Sequence, residues 1–255
     1  MKSLNPIIKY FPIWKSLAIN DIARRYRRSL LGPFWITISL FILVFCLALV
    51  YSNLLGETFY DYFLYLCLGL IYWNYISTLI NDSNNIFIEV EGIIKQIKLP
   101  LVIFHFRIVF RNIIILSHHL LVLIIYFIFF GDIEFVNFLK GLAGLILFIS
   151  ASVPISIIVS LVATRYRDIP QIISSLLQIS FFITPILFNE KILKNYYWLL
   201  DVNPFYYFLI LFRSPFLNQN IESYIYYTAV IIILLLILLS LFLLRKFSSR
   251  VVYWL

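Results

Sequence analysis

Residues 29–56 read SLLGPFWITISLFILVFCLALVYSNLLG, twenty-eight positions without a charged side chain. A bilayer core of about 30 Å takes roughly 20 apolar helical residues at 1.5 Å each, so this stretch is long enough to cross. Charge-free windows of twenty or more residues follow at 62–81, 112–131, 141–164, 169–189 and 223–244. None alternates with the period of two that a membrane barrel strand requires. The 255 residues are 63% apolar and 13% charged; a soluble domain carries about 25% charged residues, which argues strongly against a water-soluble enzyme. The expected fold class is therefore an all-α integral membrane protein. Its single transmembrane domain, 1–255, would hold six spanning helices at 34–51, 62–81, 111–130, 141–163, 169–188 and 224–244.

Lys and Arg set the orientation. With six spans, sixteen basic residues fall on one face, including Arg24, Arg25, Arg27, Arg28, Arg107, Arg111, Arg165, Lys246 and Arg250; Lys140, Lys191, Lys194 and Arg213 fall on the other. The richer face is expected to be cytoplasmic, with both termini on it. The net charge of +8 is then a topology signal rather than the footprint of a nucleic-acid partner. Cys46 and Cys67 lie inside expected spans and read as packing residues.

Outside the spans three segments stand apart. Residues 7–30 carry Phe11, Trp14, Ala18, Ile22 and Tyr26 at steps of three and four among Lys15, Arg24, Arg25, Arg27 and Arg28, the pattern of an amphipathic helix lying in the membrane interface. Pro12 suits its first turn and Gly32-Pro33 breaks the chain before the first span. Residues 86–100 interleave Ile93, Ile94 and Ile97 with Glu89, Glu91, Lys95 and Lys98 before Pro100; this reads as a short helix below the membrane, either a plain solvated loop helix or one that touches a cytosolic partner. Residues 190–217 place Tyr196, Tyr197, Trp198, Tyr206 and Tyr207 among nine aromatics on the outer side. They form either an interfacial belt or a stacking surface for sugar rings. Asn203-Pro204 reads as a helix cap with proline at the first helical position, and that helix is too short to span, so it must dip in and return.

Within the spans, Ser152, Ser156 and Ser160 are spaced four apart, a small-residue stripe for close packing. Thr184-Pro185 is expected to kink the fifth helix, and His118 and His119 lack companions at ligand spacing. No acidic residue falls inside a span, so no ion site is visible there. Glu89-Val90-Glu91 and Asp132-Ile133-Glu134 have metal-pair spacing, which is frequent by chance. No pair of glycines fits a phosphate-binding loop of the Walker type. If this protein moves anything uphill, the energy is expected to come from another chain.

Four stretches then carry a resemblance: 21–35 (DIARRYRRSLLGPFW), 94–100 (IKQIKLP), 165–170 (RYRDIP) with Thr184-Pro185-Ile186 behind it, and Asn203-Pro204-Phe205. In this order, over nearly the whole chain, they resemble ABC transporter permeases that export polysaccharide such as O-antigen, capsule or teichoic acid. The resemblance implies a homodimer in the bacterial inner membrane bound to two copies of a separate nucleotide-binding ATPase. That ATPase would hold ATP and Mg, with no cofactor in this chain, and the cargo would be a lipid-linked polysaccharide. By position, 7–30 becomes the interface helix, with Arg24, Arg25, Arg27 and Arg28 suited to the lipid pyrophosphate or to simple anchoring. Residues 86–100 become the coupling helix, with Glu89, Glu91, Ile93, Ile94, Lys95, Ile97 and Lys98 toward the ATPase. Phe34, Trp35, Phe181 and Phe182 are expected to line the conduit, and Tyr196, Tyr197, Trp198, Tyr206 and Tyr207 to form the external gate. An ABC permease for a small drug or lipid and a membrane-embedded glycosyltransferase are the alternatives.

Overall fold

The computed structural model describes residues 4–97, 99–131, 133–193 and 196–255; Lys98 and Lys194 lie outside them. Among the described residues the regular structure is entirely helical. Short α1 (Leu4–Lys9) and α2 (Phe11–Arg25) precede α3 (Phe34–Leu55) and α4 (Phe59–Asn84). Two short helices, α5 (Ile86–Glu89) and α6 (Glu91–Gln96), lead into α7 (Val102–Phe130). After α8 (Phe135–Ser150), α9 (Ser152–Arg165) and α10 (Ile169–Ile183) come α11 (Trp198–Val202), α12 (Pro204–Phe216), α13 (Ser223–Phe247) and α14 (Val251–Trp254).

Among the described residues five helical stretches are long and apolar enough to cross a membrane: Phe34–Leu55, Phe59–Asn84, Val102–Phe130, Phe135–Arg165 and Ser223–Phe247. The fourth joins α8 to α9 through Ala151. The expected fifth span is shorter, with α10 only 15 residues long. Instead of a kink at Thr184-Pro185, the helix ends: proline has no N–H to donate and drives its predecessor out of the helical region, and Thr184 is extended at ψ 132°. The interface segment is likewise divided, broken at Tyr10 and finished at Arg25. Gly32, at φ +55°, then takes the left-handed turn that leads the chain into α3.

The core is built around α4, the most buried of the five crossing helices, with α3, α7, α9, α10 and α12 packed about it. The serine stripe of α9 is fully buried and two of its members bond to neighbours: Ser152 Oγ lies 2.9 Å from Tyr75 Oη, and Ser156 Oγ lies 3.0 Å from His105 Nδ1. In α7, His118 Nδ1 stays on its own helix, at the Ile114 carbonyl. Asn203 caps α12 by accepting from the Phe205 N–H, with Pro204 in the first turn. At about 20 Å, α12 is too short to cross, and it packs inside the bundle against α8, α13 and α4. The closest approach is at Gly144, where even a β-carbon would sit 2.1 Å from the Leu211 carbonyl oxygen.

Candidate functional site

The sequence-marked residues gather at the two ends of the bundle. At the basic end, α2 lies against α7, with Trp14 between Phe106 and Phe110 at ring distances of 5.8 and 5.6 Å. One helical step from this apolar ridge, Asp21 points into the interface, its side chain 5% exposed. Arg107 Nε donates to its Oδ2 at 2.6 Å, Arg24 Nη2 donates to its Oδ1 at 2.6 Å, and Arg111 stands 3.4 Å away. Arg111 also pairs with Asp82 at the end of α4 at 2.8 Å, where Asn112 adds a 2.9 Å hydrogen bond. Arg107 reaches Glu89 of α5 at 3.4 Å. Four elements, α2, α4, α5 and α7, are thus joined by one network. Burial alone would raise the Asp21 pKa, but the hydrogen bond and charge of Arg107, reinforced by Arg24 and Arg111, outweigh burial and hold it below the usual carboxylate value.

Of the four expected phosphate-binding arginines, Arg24 is therefore partly engaged, while all four remain exposed. Arg24 and Arg27 flank a recess of about 490 Å³ with Asn20 at its side. Arg25 lies over the Tyr26 ring at 5.9 Å. In the expected coupling segment, Ile86, Phe87 and Val90 anchor α5 to the core, Phe87 meeting His105 edge-on at 5.5 Å. Ile93 and Ile94 are half-buried against that core, so Ile88 and Ile97 are the large apolar side chains left exposed. Glu91 and Lys95 pair with each other on the surface.

The opposite end is held around the broken α10 mainly by hydrogen bonds to hydroxyls and backbone carbonyls rather than by ion pairs among the described residues. Tyr62 Oη donates to the Leu187 carbonyl at 2.6 Å, and Tyr65 Oη lies 3.0 Å from the Pro185 carbonyl and 2.5 Å from that of Phe188. Asn203 Nδ2 donates to Thr184 Oγ1 at 2.8 Å. These are carbonyls and a hydroxyl beside the interrupted helix, and buried protein groups supply the partners that backbone off a helix needs in a membrane. Arg213 is 3% exposed. Its Nη1 donates to the Pro185 carbonyl at 2.6 Å, its guanidinium lies 4.1 Å from the Tyr65 ring, and its Nε has no hydrogen-bond partner among the described residues.

The five expected gate aromatics divide. Tyr196, Tyr197 and Trp198 are exposed, whereas Tyr206 and Tyr207 are buried; their hydroxyls donate to Glu190 Oε2 at 2.6 Å and to the Asp201 carbonyl at 2.8 Å. The expected conduit residues divide too. Phe34, Trp35 and Phe182 are exposed, while Phe181 packs on Trp73 at 5.5 Å. What the aromatic pattern did not reveal is a polar stripe on α10: Gln171, Ser174, Ser175 and Gln178 are all exposed, and the helical period puts them on one side with Phe182 at its outer end. Ile172, Leu176 and Ile179 cover the adjoining apolar side.

An all-helical fold with five stretches long and apolar enough to cross a membrane, among the described residues, accords with the integral membrane protein read from the sequence. The model of the ABC-2 type transporter family matches residues 13–217, from α2 to just beyond α12. Two Klebsiella pneumoniae proteins, each described as an O-antigen export system permease protein RfbA, are similar. One is 24% identical over 224 residues, covering 83% of this chain and 84% of its own length; the other is 24% identical over 207 residues, covering 78% and 77%. The match takes in both ends of the bundle as well as the helices between them, and the chain belongs to the ABC-2 type transporter family, whose members are membrane transport subunits.

Proposed function

We propose that this chain is the permease subunit of an ATP-driven exporter, working as a homodimer with two ATPase subunits and moving a lipid-linked polysaccharide, O-antigen first among the candidates, out of the cytoplasm. The polar stripe of α10 carries this reading. Facing hydrocarbon, Gln171, Ser174 and Gln178 would leave side-chain donors and acceptors without partners, which lipid penalises, whereas the Ser175 hydroxyl donates to the Gln171 carbonyl of its own helix at 3.1 Å. Facing a conduit shared with a second copy, they meet the hydroxyls of a sugar chain, and Phe182, Phe34 and Trp35 add flat apolar faces. Repeated weak contacts of this kind permit sliding where one tight site would hold the cargo. The K. pneumoniae relatives, named as O-antigen export permeases, point the same way.

On this reading α10 and the residues just after it make a sixth crossing. Fifteen helical residues give about 22 Å, and the non-helical residues that follow, turned back at Ile186 onto the Thr184 carbonyl, take the chain through the remainder of a core of about 30 Å. Both termini then lie in the cytoplasm with the basic end. The recess between Arg24 and Arg27, with Arg25 and Arg28 near it, suits a pyrophosphate at the entrance. Ile88 and Ile97, flanked by Glu89, Glu91 and Lys95, suit a cleft on the ATPase. Tyr196, Tyr197 and Trp198 offer rings to an emerging chain, while Tyr206 and Tyr207 hold the gate in shape.

The test is to co-express this chain with its ATPase, purify the complex, and measure both its stoichiometry and polysaccharide export by the Gln171→Leu/Gln178→Leu variant. A two-plus-two assembly whose variant stays assembled but exports at least several-fold less supports the proposal. A permease that binds no ATPase even in lipid nanodiscs, or a variant that exports normally, overturns it.

A further inference from the structure

A second basic feature at the same end has no place in the transport path described so far. Beyond Arg250 the chain turns back as α14, where Val251 is fully buried against α9 and Trp254 packs on Phe247 at 5.7 Å. This fold-back closes one side of a cleft of about 440 Å³ between the ends of α9 and α13. Three cations line it. The Arg165 guanidinium sits 5.3 Å from the Tyr166 ring and 5.4 Å from that of Trp254, Lys246 Nζ sits 5.4 Å from Phe247, and the Arg250 guanidinium sits 5.8 Å from the same ring. Among the described residues none of the three has a carboxylate partner, whereas Arg107 and Arg111 are each paired twice. The inner wall, toward the body of the two membrane helices, is apolar, made by Leu161, Val162 and Leu243.

A cationic rim over an apolar wall matches a phosphate-bearing amphiphile. We propose that this cleft is a binding site for an anionic phospholipid, its headgroup phosphate among Arg165, Lys246 and Arg250 and an acyl chain along the groove between α9 and α13. Guanidinium groups take phosphate oxygens through several donors at once. Aromatic rings hold the cations in place without neutralising them, and basic pockets between helices at the cytoplasmic surface suit such headgroups. Positive-inside bias alone would scatter these cations over the surface; here the returning C-terminal helix gathers them around one opening. The site is independent of the exported cargo, since it requires only a membrane.

Native mass spectrometry of the full chain in neutral detergent tests this, with phosphatidylglycerol, phosphatidylcholine and glycerol 3-phosphate as probes. The expected result is that phosphatidylglycerol is retained about tenfold or more better than phosphatidylcholine. Arg165→Gln/Lys246→Gln/Arg250→Gln loses that preference, and Arg245→Gln, on the same helix outside the cleft, keeps it. Should the triple variant fail to fold, Trp254→Ala, which removes a wall and the ring beside Arg165 while keeping all three cations, is expected to weaken retention. Equal retention of the two lipids, or an undiminished preference in the triple variant, overturns the proposal. So does displacement by glycerol 3-phosphate at matched concentration, which would assign the cleft to a soluble phosphate, and so does loss of the lipid when the ATPase binds, which would make it a protein seat.

Discussion

The two ends of this bundle are fastened by different chemistry. At the basic end, α2, α4, α5 and α7 meet through carboxylate–guanidinium pairs, with Asp21 and Arg107 2.6 Å apart and both nearly inaccessible. At the opposite end the buried cation, Arg213, has no carboxylate within ion-pair distance among the described residues, and it rests on a carbonyl and a tyrosine ring. The difference decides what each contact is worth. Two buried partners have exchanged hydration for each other, so removing one strands the other; a buried cation held by neutral groups strands no charge when it goes. The basic end is therefore fixed as one body across α2, α4, α5 and α7. The opposite end is built around a helix break that hydrogen bonds can rearrange.

The largest expected effect tests that contrast directly. Arg107→Met leaves Asp21 with Arg111 at 3.4 Å and the exposed Arg24 at 2.6 Å, so a loss of about 3 kcal/mol is expected, the lower end of the usual cost of breaking a buried pair. Arg213→Met should stay within about 1 kcal/mol of the parent, because replacing a costly buried ion by an apolar side chain of similar size is often neutral and the Pro185 carbonyl keeps the Tyr65 hydroxyl. Thermal unfolding of the purified chain in detergent measures both. Equal destabilisation by the two would break the contrast. Partial recovery of Arg107→Met by adding Asp21→Leu would sharpen it, since the pair would then be absent rather than half-made.

The sequence showed the crossing helices because missing charges leave long gaps that composition alone exposes. It did not show the charge network. Counting Arg107 and Arg111 by membrane side assigns them an address but no partner, and their partner Asp21 is 86 residues away from Arg107 in the chain. A signal was nevertheless present: Asp21 follows Trp14 by seven positions, which puts a lone carboxylate on the apolar face of an otherwise basic helix. The aromatic count in 196–216 merged two populations for a similar reason. Tyr206 and Tyr207 belong to a helix that is apolar but for Arg213 and Ser214, and a helix so apolar is buried, whereas Tyr196, Tyr197 and Trp198 precede its cap. Pro185 was legible as an interruption. Whether it bends or ends a helix depends on the α4 tyrosines that donate to the freed carbonyls, and those lie more than a hundred residues away in the chain.

A smaller effect should follow at the neutral end from packing alone. Gly144→Ala places a β-carbon against the Leu211 backbone, which has no side-chain freedom to yield, so α8 and α12 must part. A loss of about 1–3 kcal/mol is expected, typical of overpacking a close contact, read as a lower melting temperature with the basic-end pairs intact. If Gly144→Ala matched Arg107→Met, the neutral end would be as rigidly fixed as the charged one.

The smallest expected effect comes from titrating the network rather than cutting it. Asp21 has a folded-state pKa below its ordinary value, about 3.9 in an unfolded chain, so the unfolded state takes up the proton first as pH falls. The stabilisation from the pairs is complete above about pH 5 and is lost as pH drops through the unfolded value toward the folded one. Protonation leaves the side chain in place and Arg107 still has Glu89, so the loss should fall short of that in Arg107→Met. Melting temperatures from pH 6 down to pH 3 should decline more steeply for the parent than for Asp21→Asn, which has no charge at this position to lose. Parallel curves would mean that the pairs around Asp21 contribute nothing that depends on its charge, and the two ends of the bundle would then differ in composition but not in how they are held.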